Sequence, residues 1–212
     1  MHMDIPLARA WIRTVAAAME EHQEQLTQLD SAIGDADHGV NMHRGFSTVI
    51  AALDGLESTN VGDVLVKTGT ILISSVGGAS GPLYGTFFRA AGRQLTTPTT
   101  DAEHLLAALE AGLAGLQKLG GAVPGDKTMV DAIAPALAAF AAEVRTGGSV
   151  DLTAAAVEAA AAARRGMLAT IPLQARKGRA SYLGARSIGH QDPGATSAAL
   201  VFQALADVLQ AE

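Results

Sequence analysis

The chain has 212 residues, of which 49% are apolar but only 4% aromatic, and its formal net charge is −6. This length fits one compact domain, predicted to span residues 1–212, and the missing basic balance argues against nucleic acid as a partner. Because the sequence has no cysteine, disulfides, zinc–thiolate sites and thiol nucleophiles are excluded.

The N-terminal region does not read as a targeting segment. Charged residues such as Asp4, Arg9 and Arg13 interrupt any signal-peptide core. No uncharged apolar run approaches the ~20 residues that a membrane span requires. We therefore expect a cytoplasmic protein that does not act at a membrane.

Apolar residues recur at steps of three and four, which is the spacing of one helix face. Serine and aspartate at several starts fit helix N-caps, and glycine pairs fit helix ends. In chain order the predicted helices are marked by Ile5 to Met19; Val49 to Leu53; Asp63 to Ile73, ending at Gly77–Gly78; Ser80 with Pro82; Asp101 to Leu116, ending at Gly120–Gly121; Asp126, bending or starting late at Pro135; Asp151 to about Ala169; and Pro193 to Leu209.

Strand signals are nearly absent, because no stretch alternates apolar and polar residues for long. About eight helices with short connections predict an all-α protein, an antiparallel eight-helix bundle or barrel. Alternate loops of such a bundle meet at the same end. We therefore expect a site built from loops at one end.

The segment "LDSAIGDADHGVNM" places Asp30, Asp35 and Asp37 within eight positions. Crowded carboxylates repel one another unless a cation lies between them. A calcium-binding hand loop is excluded, since Phe46 would stand where its closing glutamate belongs. Magnesium together with a phosphate fits better, because Mg²⁺ uses few carboxylates and completes its shell with water and phosphate oxygens. A solvated turn in which Asp37 caps a helix starting near Gly39 stays open.

Two glycine-rich loops precede predicted helices. "SSVGGASGP" ends at a helix N-terminus, where free N–H groups and the helix dipole attract phosphate. "GGAVPGDKTM" resembles a Walker loop but fails, because Asp126 separates Gly125 from Lys127. A plain helix connection is the simpler interpretation of either loop alone, and Lys127 is read as a solvated charge.

The segment "QARKGRASYLGARSIGHQDPGATS" adds Arg176, Lys177 and Arg179 before a helix start. A basic loop facing an acidic metal loop suits a phosphate with its magnesium ion, although a basic surface patch is the alternative. The histidines His38, His43 and His190 have no metal-ligand spacing. They are interpreted as hydrogen-bonding loop residues, of which His38 is the best candidate for ligand contact.

Together, the blocks "AIGDADHGVNMHRGFS", "SSVGGASGPLYGTFF", "PGDKTM" and "QARKGRASYLGARSIGHQDPGATS" resemble the nucleotide-binding L subunit of the dihydroxyacetone kinase family. The likeness runs in block order from about Leu29 to the C-terminus. It implies an eight-helix barrel that holds ADP through two Mg²⁺ ions at one end. By matching position, the metal ligands would be Asp30, Asp35 and Asp37. The nucleotide would be lined by His38, Gly39, Val40, Asn41, Ala79, Ser80, Gly120, Met129, Arg179, Asp192, Pro193 and Gly194.

The resemblance also implies a division of labour. Dihydroxyacetone would be held covalently on a histidine of a separate K subunit, and the L subunit would deliver the γ-phosphate to it. In phosphotransferase-dependent members a third, phosphohistidine-carrying subunit rephosphorylates bound ADP, whereas other members use free ATP. A homodimer is compatible with this scheme.

Three alternatives stay open at this stage. The same fold could serve an ATP-dependent kinase for a related ketose such as erythrulose. The acidic turn could belong to a metal-dependent phosphatase. The chain could also be a non-catalytic nucleotide sensor that binds a regulator.

Overall fold

The computed structural model of the protein describes residues 2–145 and 151–212. Within these ranges it contains nine α-helices, one 3₁₀ helix and two short strands. The helices are α1 (Ile5–Glu21), α2 (Gln23–Ile33), α3 (His38–Leu53), α4 (Val61–Ser75), α5 (Ser80–Gly92), α6 (Ala102–Gly120), α7 (Val130–Val144), α8 (Leu152–Ala169) and α9 (Pro193–Gln210). The 3₁₀ helix is Arg179–Ser187, and strands β1 (Met3–Asp4) and β2 (Thr99–Thr100) pair antiparallel with Met3 opposite Thr100.

Eight of the α-helices form a closed ring. Each contacts the next in the order α1, α3, α4, α5, α6, α7, α8 and α9, and α9 then packs on α1. The remaining helix, α2, packs on α3 and α9. The predicted all-α class is thus confirmed. The ninth helix arises because the N-terminal helix ends at Glu21 and a new helix begins at Gln23.

The interior of the ring gathers most of the few aromatic side chains. The ring of Phe88 lies 5.9 Å from Trp11, 6.3 Å from Phe46 and 5.4 Å from Phe87, measured between ring centres. Trp11 Nε1 donates to the carbonyl oxygen of Val201 at 2.9 Å, so this cluster also joins α1 to α9. Alanines of α7, α8 and α9 fill much of the remaining core, which lets these helices approach closely.

Helices α4 and α5 meet along four glycines, here called the glycine seam: Gly62, Gly69, Gly85 and Gly92. A Cβ added at Gly62 would lie 2.1 Å from the carbonyl oxygen of Gly92, and one at Gly69 would lie 2.4 Å from that of Gly85. Real Cβ atoms do not approach oxygen so closely. The spacing of the two helix backbones therefore depends on the absence of side chains at these positions.

Several helix starts agree with the sequence. Asp101 and Asp151 cap α6 and α8 as predicted, by accepting hydrogen bonds from the backbone N–H groups of His104 and Thr153 at 2.9 Å. The prediction for Ser80 was wrong by one residue. Ala79 is the N-cap of α5 and Ser80 is its first residue, with its hydroxyl engaged elsewhere.

The predicted start of α7 at Asp126 is wrong. The helix begins at Val130, and the carboxylate of Asp131 in its first turn accepts from the backbone N–H groups of Gly125 and Thr128. Asp126 instead accepts from the N–H of Val123 at 3.0 Å and stabilises the preceding loop. Pro135 lies inside α7, so the helix neither begins nor ends there.

No helix in the part of the chain that the structure describes is long and apolar enough to span a membrane.

Candidate functional site

The three predicted metal ligands come together at one end of the ring. Asp30 lies in the last turn of α2, and Asp35 and Asp37 lie in residues 34–37, here called the acidic loop. One carboxylate oxygen from each residue lies within 4.8 Å of the others. Oxygen ligands in this number suit a hard divalent cation such as Mg²⁺. The donor set therefore fits the metal that the sequence predicted.

Local structure holds this cluster in place. The Asp30 side chain is buried, and its Oδ2 accepts from the backbone N–H groups of Asp37 at 2.9 Å and His38 at 3.1 Å. Ala36 has φ +61°, a left-handed conformation that is uncommon for residues other than glycine. This turn of the backbone brings Asp35 and Asp37 to the same side. Strain kept at such a position is frequent in functional sites.

Three helix N-termini border the same cavity, those of α3, α5 and α9. Among the described residues, no side chain caps α5, whereas the first N–H group of α3, that of His38, already donates to Asp30. The first N–H groups of α5 are therefore available to a ligand, and the positive ends of both helix dipoles favour an anion there. Gly78, with φ +64°, shapes the turn that leads into α5. The acidic cluster thus adjoins a surface that suits a phosphate.

His38 connects these helix starts rather than lying in a loop. Its side chain is buried, Nδ1 pairs with Ser80 Oγ at 3.1 Å, and Nε2 pairs with Ser197 Oγ at 2.9 Å. Ser197 Oγ in turn pairs with the Tyr84 hydroxyl at 2.7 Å. Burial lowers the pKa of His38, against the raising influence of Asp30 and Asp37. The imidazole is therefore a neutral link between α3, α5 and α9.

His38 should make stability depend on pH. Because its folded-state pKa lies below the ordinary 6.5, the unfolded chain binds more protons below that pH, so acidification favours unfolding by up to ~1.4 kcal/mol per pH unit. We expect His38→Gln, which cannot titrate there, to lose less stability than wild type between pH 7.5 and 5.5. Urea unfolding in EDTA measures both proteins. An equal loss in the two would show that His38 is not buried neutral.

The opposite side of the cavity is basic. Residues 170–190, here called the basic loop, join α8 to α9 and carry Arg176, Lys177, Arg179 and Arg186. Arg179 Nη2 forms an ion pair with Asp35 Oδ2 at 3.0 Å, while its side chain remains 64% exposed. An exposed pair of this kind is weakly held. Arg179 can therefore turn from the carboxylate to a phosphate.

Asp192 begins α9 beside the basic loop. Its Oδ2 accepts from the N–H of Ala195 at 2.7 Å, which caps the helix. Burial raises the pKa of Asp192 to about 7, with Asp131 and Asp30 adding to the rise and Lys127 and the hydrogen bond from Ala195 opposing it. The turn Asp192 to Gly194 lines the cavity as predicted from the resemblance.

Lys127 corrects the sequence interpretation. It was read as a solvated charge, but its side chain is only 1% exposed and its Nζ donates to backbone carbonyls of the basic loop. The contacts join residues 43 to 63 positions apart. Sequence spacing contains no signal for them.

The cavity between these groups encloses about 380 Å³. Apolar side chains also line the cavity, namely Ile33, Pro82, Leu83, Leu116, Leu119 and Met129. These residues follow ordinary helix periodicity in the sequence, so nothing distinguished them from core positions. The cavity therefore combines charged and apolar lining, which suits a nucleotide.

Most predicted site residues line this cavity: Asp30, Asp35, Asp37, His38, Ala79, Ser80, Gly120, Met129, Arg179, Asp192, Pro193 and Gly194. Three others do not border it. Gly39 faces α2, where a Cβ would lie 2.0 Å from the carbonyl oxygen of Gln23, and Val40 is 45% exposed. Asn41 is buried beneath Gly77, and its Oδ1 accepts from Arg44 at 2.7 Å. Nucleotide contact by any of these residues stays a prediction.

Comparison with known proteins gives one consistent result. The DAK2 domain profile matches residues 32–207. The chain is 47% identical over 199 residues to the ADP-binding subunit DhaL of the PEP-dependent dihydroxyacetone kinase of Escherichia coli, covering 92% of this chain and 93% of that one. It is 44% identical over 205 residues to the corresponding subunit of kinase 1 of Listeria innocua, covering 97% of each.

A solved structure shares the fold. The crystal structure of dihydroxyacetone kinase from C. freundii in complex with AMP-PNP and Mg²⁺ superposes with a TM-score of 0.72 at 28% identity. The match covers 98% of this chain and 34% of that kinase chain, so the present protein spans about a third of the kinase's length.

Proposed function

The chain belongs to the DAK2 domain family, and from that premise we propose that it is the nucleotide-binding subunit of a dihydroxyacetone kinase. It binds ADP or ATP with Mg²⁺ and passes the γ-phosphate to dihydroxyacetone held on a separate K subunit. One observation carries this proposal: three carboxylates, the uncapped N-terminus of α5 and Arg179 converge on one cavity that also has apolar lining.

The cavity offers a place for each part of the nucleotide. Asp30, Asp35 and Asp37 would hold two Mg²⁺ ions, which supply positive charge between the phosphate oxygens. The free N–H groups at the start of α5 would receive the diphosphate, with the positive end of the α3 dipole beside them. The apolar lining would take the base. We further propose that residues 1–212 act as one domain.

Phosphoryl transfer requires positioning and charge neutralisation more than covalent help from the protein. The guanidinium of Arg179 would pair with the negative charge that develops on the transferred phosphoryl group, since it already reaches Asp35 in the acidic loop. Among the described cavity residues we find no cysteine, and the buried Lys127 and His38 are both engaged by protein atoms. The other cavity lysine, Lys177, is exposed and lacks the desolvation that activates a lysine nucleophile, which supports a second subunit as the carrier.

The source of the phosphate follows from the relatives. The E. coli and L. innocua subunits named above belong to PEP-dependent kinases, so we propose that a phosphohistidine-carrying phosphotransferase subunit recharges bound ADP. The nucleotide then stays bound and acts as a cofactor. Free ATP as donor is the alternative, and it predicts ready exchange of bound nucleotide during purification.

Reconstitution tests the proposal. We expect dihydroxyacetone phosphate to form only when this chain, a dihydroxyacetone-loaded K subunit and a phosphotransferase donor are all present, because this chain holds nucleotide but no ketone. A coupled enzymatic assay measures the product with each component omitted in turn. Arg179→Ala should lower the rate about 100-fold, within the range of single transition-state contacts. The exposed Arg186, from the same 3₁₀ helix, supplies the matched control Arg186→Ala.

Two outcomes would contradict this function. Product formed from this chain, ATP and free dihydroxyacetone would indicate a self-sufficient kinase. Steady release of inorganic phosphate from ATP by this chain alone would indicate a metal-dependent phosphatase.

A further inference from the structure

Lys127 places an ammonium group inside the protein, where burial lowers its pKa against the opposing influence of Asp192. It lies in the connection between α6 and α7, and its Nζ donates to the carbonyl oxygens of Thr170 at 2.9 Å, Leu173 at 3.1 Å and Ser187 at 2.8 Å, and also to that of His190. An ammonium group has three hydrogens for these four acceptors. Its charge is thus satisfied by backbone oxygens of the basic loop.

The four carbonyls lie near both ends of the basic loop. That loop has little regular structure apart from its 3₁₀ helix, so many of its carbonyls need partners from outside. Two further contacts close the loop on itself: Gly189 N–H donates to the Ile171 carbonyl at 2.8 Å, and Ala175 N–H donates to Ser187 Oγ at 2.9 Å. The ammonium therefore gathers the start and the end of the loop at one point.

The position of the loop decides where two site elements lie. Arg179 lies in the middle of the basic loop and extends to the acidic loop, where its Nη2 is 3.0 Å from Asp35 Oδ2. Asp192, just after the end of the basic loop, donates its backbone N–H to Thr170 Oγ1 at 3.0 Å and opens α9. A shift of the loop would move the guanidinium and the α9 N-terminus together.

The backbone of Lys127 is held in an unusual conformation. Lys127 has φ +61°, a conformation that side-chain-bearing residues rarely adopt. Strain of this kind persists only where surrounding contacts fix it. Here the carbonyls around Nζ supply those contacts.

We propose that Lys127 is a positioning residue for phosphoryl transfer: its buried ammonium fixes the basic loop so that Arg179 faces the phosphates held over Asp30, Asp35 and Asp37. This inference rests on the proposed function of the site. Lys127 does not touch the nucleotide phosphates in this scheme and acts only through the loop.

A double-mutant cycle in the reconstituted assay tests this role. Lys127→Met removes the charge at similar length and should lower the transfer rate about 100-fold, the loss expected from a misplacement of about 1 Å. In an Arg179→Ala background the same change should add little, because the group that Lys127 positions is already gone. Lys67→Met, which changes a partly exposed lysine of α4 outside the cavity, is the control.

Chemical rescue separates positioning from a general loss of folding. In Lys127→Ala, propylammonium chloride should restore transfer by occupying the place of the side chain, whereas tetrapropylammonium, which has no N–H, should not. Hydrogen exchange should show faster exchange in residues 170–190 of the unrescued variant and unchanged protection in α1 and α4. The rescue experiment on Lys127→Ala tests the proposal even if Lys127→Met folds poorly.

The outcomes are distinct. Full activity of Lys127→Met, losses that add fully with those of Arg179→Ala, or equal effects of the two amines would each overturn the positioning role. A wild-type protein that does not bind ADP with Mg²⁺ would overturn the proposed function itself, and this inference with it.

Discussion

Asp35→Asn is expected to weaken Mg²⁺-dependent ADP binding roughly 100-fold while the helices stay folded, since cation affinity varies over decades with the number of charged ligands. Asp35 is the best of the three acids for this test. Asp30 is buried and also holds the backbone of Asp37 and His38, so its replacement would disturb the loop itself. Among the described residues, the only side-chain partner of Asp35 is Arg179.

Asp54→Asn provides the matched control. Asp54 is also an exposed aspartate with an arginine partner, Arg13 at 2.7 Å, but it lies at the opposite end of α3. Calorimetric titration of ADP with and without EDTA measures the binding. Thermal unfolding gives a second reading, because bound nucleotide at a hundredfold excess over Kd adds ~2.7 kcal/mol of stability. Equal affinities in the Asp35→Asn and Asp54→Asn variants, or binding indifferent to EDTA, would remove the metal site from the mechanism.

The largest effect on folding is expected in the glycine seam. A methyl group at Gly69 would lie 2.4 Å from the carbonyl oxygen of Gly85 and 2.8 Å from the backbone nitrogen of Arg89, so α4 and α5 would have to move apart. We expect Gly69→Ala to cost about 3 kcal/mol of unfolding free energy, at the upper end of overpacking effects. For a chain of this size that lowers Tm by roughly 6–12 °C.

Gly55→Ala is the control for this substitution. Gly55 follows α3, and a Cβ there would meet no atom within 4 Å. The change should leave Tm unaltered or raise it slightly, because alanine reduces the freedom of the unfolded chain. Calorimetric unfolding compares both variants. If the Gly69→Ala and Gly55→Ala variants unfold at the same Tm, α4 and α5 are less closely packed than the Cβ distances at the glycine seam indicate.

Local signals in the sequence predicted the parts of this protein that depend on local contacts. Asp101 and Asp151 cap helices because their side chains bond N–H groups two or three residues ahead. The cluster of carboxylates was predicted for the same reason, since Asp30, Asp35 and Asp37 lie within eight positions, and their role as metal ligands stays a prediction. Helix periodicity likewise sufficed for the all-α class.

The wrong predictions have other causes. Lys127 looked solvated because its carbonyl partners are 43 to 63 residues away. Asp126 was predicted as a helix cap, but a second aspartate lies five residues later. The carboxylate of that residue, Asp131, accepts from the N–H groups next to the helix start instead. Helix α2 was not predicted, since Leu26 and Ile33 are its only buried apolar residues and mark no clear helix face. The contacts that decide the position of Lys127 are tertiary, whereas at the start of α7 two nearby aspartates offer locally equivalent arrangements.

Closure of the ring by α9 on α1 has a consequence for biosynthesis. Trp11 finds its hydrogen-bond acceptor 190 residues later, at Val201, so the side of α1 that packs on α9 has no partner until α9 leaves the ribosome, although α3 and α4 can already pack on α1. Contacts so distant in sequence form late, and the unpaired face is exposed to aggregation in the meantime. The turn at Asp192, which completes the cavity, emerges with the same helix. Nascent chains therefore gain a closed barrel and a nucleotide site in one step, and no earlier translation intermediate can retain ADP.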